Sequence, residues 1–372
     1  MQSLTFYVHQ TDSQPLRDAY AAQMIEQLQR NGHRRVSDPH QARFVLNLTD
    51  IQSPGIFRRN SRAIFVVSLV LASQPYSNLQ AVCYQTLVRT LANLCLCVVP
   101  DAPDLNPDRS LPSAHIYFTT PEAGYYGLPF HPEQVFRRML PIVGARFAIE
   151  NSFSVDLPRA YWHHSAVVEQ IRHYGKVLDE LGVLPAPFPL QKFLNPDDIT
   201  HLYQLFQVKG LSYGNLSARE AIPGLGGSTF WMTARGINKA QIGQIGQEVL
   251  LVKGVDELRG VVMVSVPPDY DPRARVSVDA VEHALIYRTF PAVGAIVHVH
   301  AWMKDILCTR QNFPCGTVEL AREVVNLLQQ TPDPNRAVVG LKNHGITITG
   351  PNLKDIFHRI SHRLIRQIPM VA

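Results

Sequence analysis

Gly294-Ala-Ile-Val-His-Val-His-Ala301 is an apolar run that closes on two histidines one residue apart. If the run is a strand, side-chain alternation puts His298 and His300 on one face, close enough for both imidazoles to bind one cation. Two nitrogens do not hold a catalytic metal, so a third ligand and an acid must come from elsewhere in the chain. Lys342-Asn-His-Gly345 offers the third, because His344 stands beside a glycine at the end of an apolar run, where its ring can reach across a sheet. By itself such a histidine is a core or turn residue. Joined to the pair it completes a three-nitrogen zinc site with one coordination position open. Asp279, nineteen residues before His298 at the start of a helical stretch, adds a carboxylate that can act as a fourth ligand or as a base. Taken alone, it reads as an ordinary helix cap.

The chain that must position these groups has 372 residues, 46% of them apolar and 17% charged, enough to bury two cores. Its formal charge of +5 is small, and the paired basic residues Arg34-Arg35, Arg58-Arg59 and Arg137-Arg138 are scattered without interleaved aromatics, which argues against a nucleic-acid partner. No apolar stretch approaches the roughly 18 residues of a membrane span. The first residues lack a basic segment followed by a long apolar one, so no membrane partner and a cytoplasmic location are expected. The five cysteines, Cys83, Cys95, Cys97, Cys308 and Cys315, are odd in number and form no CxxC. They read as buried free thiols, with Cys95 and Cys97 on one face of a strand as a second, soft-metal reading.

Residues 1–150 alternate short apolar runs (4–9, 44–48, 63–71, 94–99, 115–119) with helical stretches (15–31, 77–93, 131–143), the pattern of a doubly wound, mostly parallel, Rossmann-like or flavodoxin-like α/β domain. It has no GxGxxG and no Walker loop. At the carboxyl ends of its strands either Asn47, Thr49 and Asp50 or Thr119, Thr120 and Glu122 could line a ligand site, the alternative being a docking or oligomerisation domain. Residues 151–158 show no periodicity and read as a junction. A helix over 159–181 follows, carrying His163, His164 and His173 as surface residues, then a proline break at 185–189 and a helix from the Asn195 cap to 209. Beyond Gly210 the expected elements are strands at 214–219, 228–233 and 249–253, a helix at 280–290, the histidine strand, a helix at 318–330, strands at 337–341 and 345–349, and a closing helix at 352–366. There are no internal repeats.

Four segments in this order, Gly214-Asn-Leu-Ser-Ala-Arg219, Thr233-Ala-Arg-Gly236, residues 277–288 with 291–300, and Asn343-His-Gly345 with Gly350, resemble the class II aldolase/adducin family. The resemblance spans residues 197–366 and implies that 151–372 form an α/β/α domain with a mostly antiparallel sheet, commonly assembled as a tetramer. The family includes sugar-phosphate aldolases, L-ribulose-5-phosphate 4-epimerase and a methylthioribulose-phosphate dehydratase. It implies that His298, His300 and His344 bind Zn2+ or another divalent cation, that Asp279 is the catalytic acid–base group, and that Gly214, Asn215, Gly236 and Ser277 cradle the substrate's anion. Arg235 and Val278 depart from the pattern, where the family has a hydroxyl residue and a second serine, and a guanidinium at 235 could clamp a phosphate or carboxylate. The segment between His300 and His344 looks shortened, with Asp305 the nearest acid. The expectation is that the tail supplying a tyrosine proton donor in some aldolases is missing, leaving His358 and His362, read as surface residues, one turn apart on the last helix. The implied function is a metal-dependent aldolase-type lyase acting on a sugar phosphate or acidic sugar through a metal-stabilised enediolate. Retroaldol 4-epimerisation, a non-catalytic adducin-like scaffold, and a sensor whose N-terminal sheet binds an effector are the alternatives.

Overall fold

This computed structural model describes residues 3–10, 12–59, 61, 64–101, 111–122, 124–184, 191, 194–206 and 212–371. The chain divides into two compact units, one of Met1–Gly144, Pro189–Leu205 and Met370–Ala372, the other of Ala145–Phe188 and Phe206–Pro369. No helix among the described residues is long and apolar enough to cross a membrane. The proline break at 185–189 and the end of the helix expected to reach 209 lie outside the described residues.

In the first unit β1 (Thr5–Gln10), α1 (Pro15–Arg30), β2 (Arg34–Arg35), β3 (Phe44–Leu48), β4 (Phe65–Leu71), α2 (Leu79–Arg89), β5 (Leu94–Pro100), β6 (Ala114–Thr119), β7 (Tyr125–Pro129) and α3 (Pro132–Gly144) follow in order. Their sheet runs β2-β1-β3-β4-β5-β6-β7, and the first five strands are parallel. β3 and β4 are buried at every residue, which is why their sequences are nearly continuous apolar runs. The chain leaves β1 in one lateral direction through α1 and leaves β4 in the other through α2. Right-handed crossovers in opposite directions put the two helices on opposite faces, which makes the sheet doubly wound.

Two features of this sheet differ from the sequence expectation. β6 is antiparallel to β5 and forms a hairpin with β7, which a run as short as Tyr-Tyr-Gly-Leu-Pro does not announce. Because Asn47 pairs with Ser68, Ser68 with Cys95 and Cys95 with Thr119, Asn47 and Thr119 stand level in the sheet, with β4 and β5 between them. The two candidate ligand clusters are therefore separated sideways, on β3 and β6, and not along the strands. At the carboxyl end, Asp50 accepts from the Gln14 side chain and from the backbone N–H of Gln52 and Ser53, while buried Arg17 pairs with Asp12 at 2.8 Å and Asp18 at 2.7 Å. The protein's own donors occupy these carboxylates.

A later helix, α5 (Pro196–Phe206), begins at the expected Asn195 cap, whose side chain accepts from Asp198 N at 2.8 Å. Asp198 is buried and receives Arg89 Nε at 2.7 Å and Gln85 Nε2 at 2.7 Å. Burial by itself raises this carboxyl's pKa, but the hydrogen bonds from Arg89 and Gln85 outweigh it and hold the group below its usual range.

The second unit contains β8 (Glu150–Ser154), α4 (Ala166–Glu180), β9 (Asn215–Arg219), β10 (Phe230–Thr233), β11 (Val249–Asp256), β12 (Val261–Ser265), α6 (Ala280–Thr289), β13 (Ala295–Val299), β14 (Leu307–Cys308), α7 (Val318–Gln329), β15 (Val338–Leu341), β16 (Gly345–Gly350) and α8 (Leu353–Ile360). The sheet order is β14-β15-β16-β13-β9-β10-β11-β12-β8, antiparallel except at its two edges. Met232, Leu250 and Ile296 pack with α6 and α7, whereas Trp231, Leu251, Ala295, Val297 and Val299 pack with α4 and α8. Strand alternation thus builds two cores on one sheet, an α/β/α sandwich.

The segment read as a junction, 151–158, instead supplies the edge strand β8, which pairs with β12 in parallel. The helix expected over 159–181 is a short 3-10 turn at Arg159–Tyr161 followed by α4, whose cap Ser165 accepts from Val167 N and Val168 N. His163, His164 and His173 are exposed. α8 ends at Ile360, after which Ile365 exchanges two backbone hydrogen bonds with Trp302, so His362 lies beyond the helix that carries His358.

Replacing Asp198 by alanine is expected to lower the stability of the full chain by about 1–3 kcal/mol, the cost of stranding half-buried donors. Because the shift is downward, the contribution is complete above the ordinary carboxylate pKa near 4 and fades as pH falls below it. Denaturant titrations of both proteins at pH 7 and pH 3 test this, and a difference that does not shrink in acid would contradict it.

Candidate metal centre

β13 lies between β9 and β16, with His298 opposite Asn215 on one side and Thr347 on the other. Since Val297 and Val299 face α4 and α8, His298 must face α6. His300 follows two residues later, and His344 comes from the turn that opens β16. The ring centroids of the three stand 5.1 Å (298–300), 4.8 Å (298–344) and 4.7 Å (300–344) apart. Their ligand atoms all lie within 4.8 Å of one another.

Two glycines allow this convergence. A side chain on Gly214, at φ +75°, would strike the carbonyl of His298, and one on Gly345 would strike that of Val299 and crowd His300. Backbone therefore packs directly on backbone at the end of β13. Asn343, at φ 59°, completes the turn that brings His344 round.

The donor set fits a divalent cation. His298 Nδ1 donates to the Ile346 carbonyl at 3.0 Å, which fixes the ring and leaves Nε2 buried without a hydrogen-bond partner. His300 Nε2 and His344 Nε2 are 3.1 Å apart. Tetrahedral zinc with bonds of about 2.0–2.1 Å separates its nitrogens by about 3.3 Å. Burial, reinforced by the neighbouring rings, holds His300 and His344 well below the ordinary imidazole pKa, and burial lowers His298 too. Burial thus favours the neutral ring in all three, the state that ligates.

Asp279 stands at the cap position of α6 but makes no capping bond with its side chain. Instead Oδ2 accepts from Asn215 Nδ2 at 2.6 Å, and Oδ1 is buried without a partner. Asn215, expected to contact a substrate anion, holds the Asp279 carboxylate through its amide, and Gly214 packs against the His298 carbonyl. The other residues expected to hold an anion lie around Thr233: Thr233 Oγ1 accepts from Leu216 N at 3.3 Å, and its carbonyl from Ser277 N at 3.2 Å. Arg235 N donates to the Arg275 carbonyl at 2.7 Å, and Gly236 turns at φ +69°. Asp305 is exposed and left-handed at φ 58°, away from the histidines' buried surroundings.

Sequence reasoning missed four polar residues of this region. Lys239 is buried, donates from Nζ to the Ser212 carbonyl, and is pushed down to about 7 by burial against the pull of Asp279. Glu282 accepts from Thr347 Oγ1 at 2.6 Å and is pushed up to about 8, first by burial and then by the charge of Asp279. His283 Nδ1 lies 2.7 Å from Ser217 Oγ, which in turn is 2.8 Å from Tyr287 OH. Residues 279, 282, 283 and 287 form one helical stripe, and a buried stripe that is polar rather than apolar is the signal that could have found three of the four.

Residues 198–310 match the profile of the class II aldolase and adducin N-terminal domain, a span that includes Asp279, His298 and His300 and ends before His344. Among solved structures, YgbL from Escherichia coli, described as a candidate aldolase/epimerase/decarboxylase, is similar at 16% identity and a TM-score of 0.32, over 52% of this chain and 83% of that one. No curated protein matches the chain. The C-terminal region is class II aldolase-like, with a mostly parallel sheet preceding a mostly antiparallel one.

Two measurements follow from this geometry. Protein purified without added metal or a metal-binding tag is expected to carry, or take up, about one equivalent of zinc, and His344→Ala to bind it about 100-fold or more weakly, read by metal analysis and competitive titration. Equal uptake by the variant would remove His344 from the centre. Glu282 retains its proton in the folded state to about pH 8, whereas the unfolded chain releases it near 4.3. Its contribution is full below about 4.3 and declines as pH rises toward 8. Glu282→Gln should therefore gain stability relative to wild type between about pH 5 and pH 8, as read from denaturant midpoints.

Proposed function

We propose that the second unit is a divalent-metal lyase of the aldolase type, acting on a small phosphorylated or acidic sugar. His298, His300 and His344 would hold the ion, Zn2+ or another divalent metal. When bound, it supplies Lewis-acid stabilisation of negative charge developing beside a carbonyl. Asp279 is the base: Asn215 fixes Oδ2, so the remaining oxygen, Oδ1, is the atom left to exchange a proton with substrate. Arg235, Gly236 and Ser277 receive the substrate's anionic end, with the guanidinium as the charged partner.

The observation that carries this reading is the buried, half-satisfied carboxylate of Asp279 beside three neutral histidines. Each such group costs desolvation energy that a scaffold has no reason to maintain. Retroaldol epimerisation uses the same base and the same ion, so it is a variant of this reading. A homo-oligomer is proposed with it, by likeness to the family.

Zinc-loaded protein screened against sugar phosphates and sugar acids, with aldehyde release and epimer formation as readouts, is expected to turn over at least one. Asp279→Asn should keep the metal and lose about 100- to 10,000-fold in kcat, the usual share of a general base. A variant that keeps both metal and full activity would exclude Asp279 as the base.

A further inference from the structure

Four consecutive residues leading into β9 each touch a different member of the centre. The carbonyl of Ser212 accepts from Lys239 Nζ. The ring of Tyr213 lies 4.9 Å from that of His300. The backbone of Gly214 packs on the His298 carbonyl, and Asn215 holds Asp279. Lys239 therefore stands at the first position of a row whose next three contacts are His300, His298 and Asp279.

Its place is fixed from several sides. Lys239 N donates to Ser212 Oγ at 3.4 Å, and on α4 only a glycine at 175 leaves room for the Lys239 carbonyl. The side chain is buried, with 2% of its residue surface exposed. One ammonium hydrogen is used by Ser212, and among the described residues no carboxylate lies within ion-pair distance of Nζ. A buried amine with donors to spare and no carboxylate in direct contact, only the more distant charge of Asp279, gains when an anion joins it. Lys239 thus has hydrogens available for an anion, and the row of contacts sets their location beside the histidines.

We propose that Lys239 is the oxyanion-binding group of this centre, donating a hydrogen bond to the ionised oxygen of a small hydroxy-carbonyl ligand. The proposal rests on the reading of the centre given under Proposed function and narrows it: the substrate develops or carries its anionic oxygen at the reacting end, separately from any phosphate held at Arg235. Lys239 acts there as Asp279's counterpart, a donor where the aspartate is an acceptor.

Glycolohydroxamate, a planar two-carbon mimic of an enediolate, is the probe. Calorimetric titration of full-length, zinc-loaded protein is compared for wild type, Lys239→Met and Lys239→Arg, with zinc content and thermal melting measured on each. Lys239→Met is expected to keep its zinc and bind the hydroxamate about 10- to 100-fold more weakly, the loss of one charge-assisted hydrogen bond in a buried site. Lys239→Arg, which retains a charged donor, should recover part of that loss. Unchanged hydroxamate affinity in a folded, zinc-loaded Lys239→Met protein overturns the assignment while leaving the metal centre intact. If neither variant folds, Lys239 is a structural residue and the assignment is overturned. A wild-type protein that takes up no zinc removes the underlying reading of the centre, and the proposal goes with it.

Discussion

The register of β13 between β9 and β16 is the constraint on which this centre depends. His298 faces α6 because it stands level with Asn215 and Thr347, and a slip of one residue would turn it to the other core. The same pairing puts Asn215 within reach of Asp279 and Thr347 within reach of Glu282, so one strand alignment places His298 and two buried carboxyls together. Gly214 and Gly345 secure that alignment by letting neighbouring backbone close on both sides of β13, where any side chain would force the strands apart.

Much of the centre was legible in the sequence because its signals are local. The two-residue spacing of His298 and His300 needs only a strand to become a pair of ligands, and an apolar run of that length supplies one. His344 and the helix that begins after Asp279 were legible for the same reason. Lys239 was not, because nothing in Gly-Ile-Asn-Lys-Ala-Gln shows that a lysine will be enclosed. Its burial is made by Ser212, Gly175 and the segments around the histidines, distant in sequence. The contacts of Gly214 with His298 and of Asn215 with Asp279 were not legible either, since a motif records which residues recur and not which atoms they touch.

In the fold, what escaped was the edge. β8 is a polar run, Glu-Asn-Ser-Phe-Ser, with only one neighbouring strand and little burial, so it carries no alternation to read. β6 looked like another member of a parallel sheet, because an apolar run holds no record of its direction. Only the short link to β7 and the pairing of Thr119 with Cys95 define it as antiparallel. That reversal brings the carboxyl end of β6 to the start of β5, so that Thr119 stands level with Asn47, with β4 and β5 between them. Central strands such as β3 and β4, covered on both faces, were unmistakable.

The first unit is discontinuous along the chain, since Pro189–Leu205 belongs to it although Ala145–Phe188 does not. During synthesis, then, the parallel sheet emerges from the ribosome well before the helix whose Asp198 receives Arg89 and Gln85. Those donors must wait, hydrated, while the intervening stretch is translated. At about 5–20 residues per second the interval amounts to several seconds. The nascent chain thus passes through a sheet domain that still lacks its last helix.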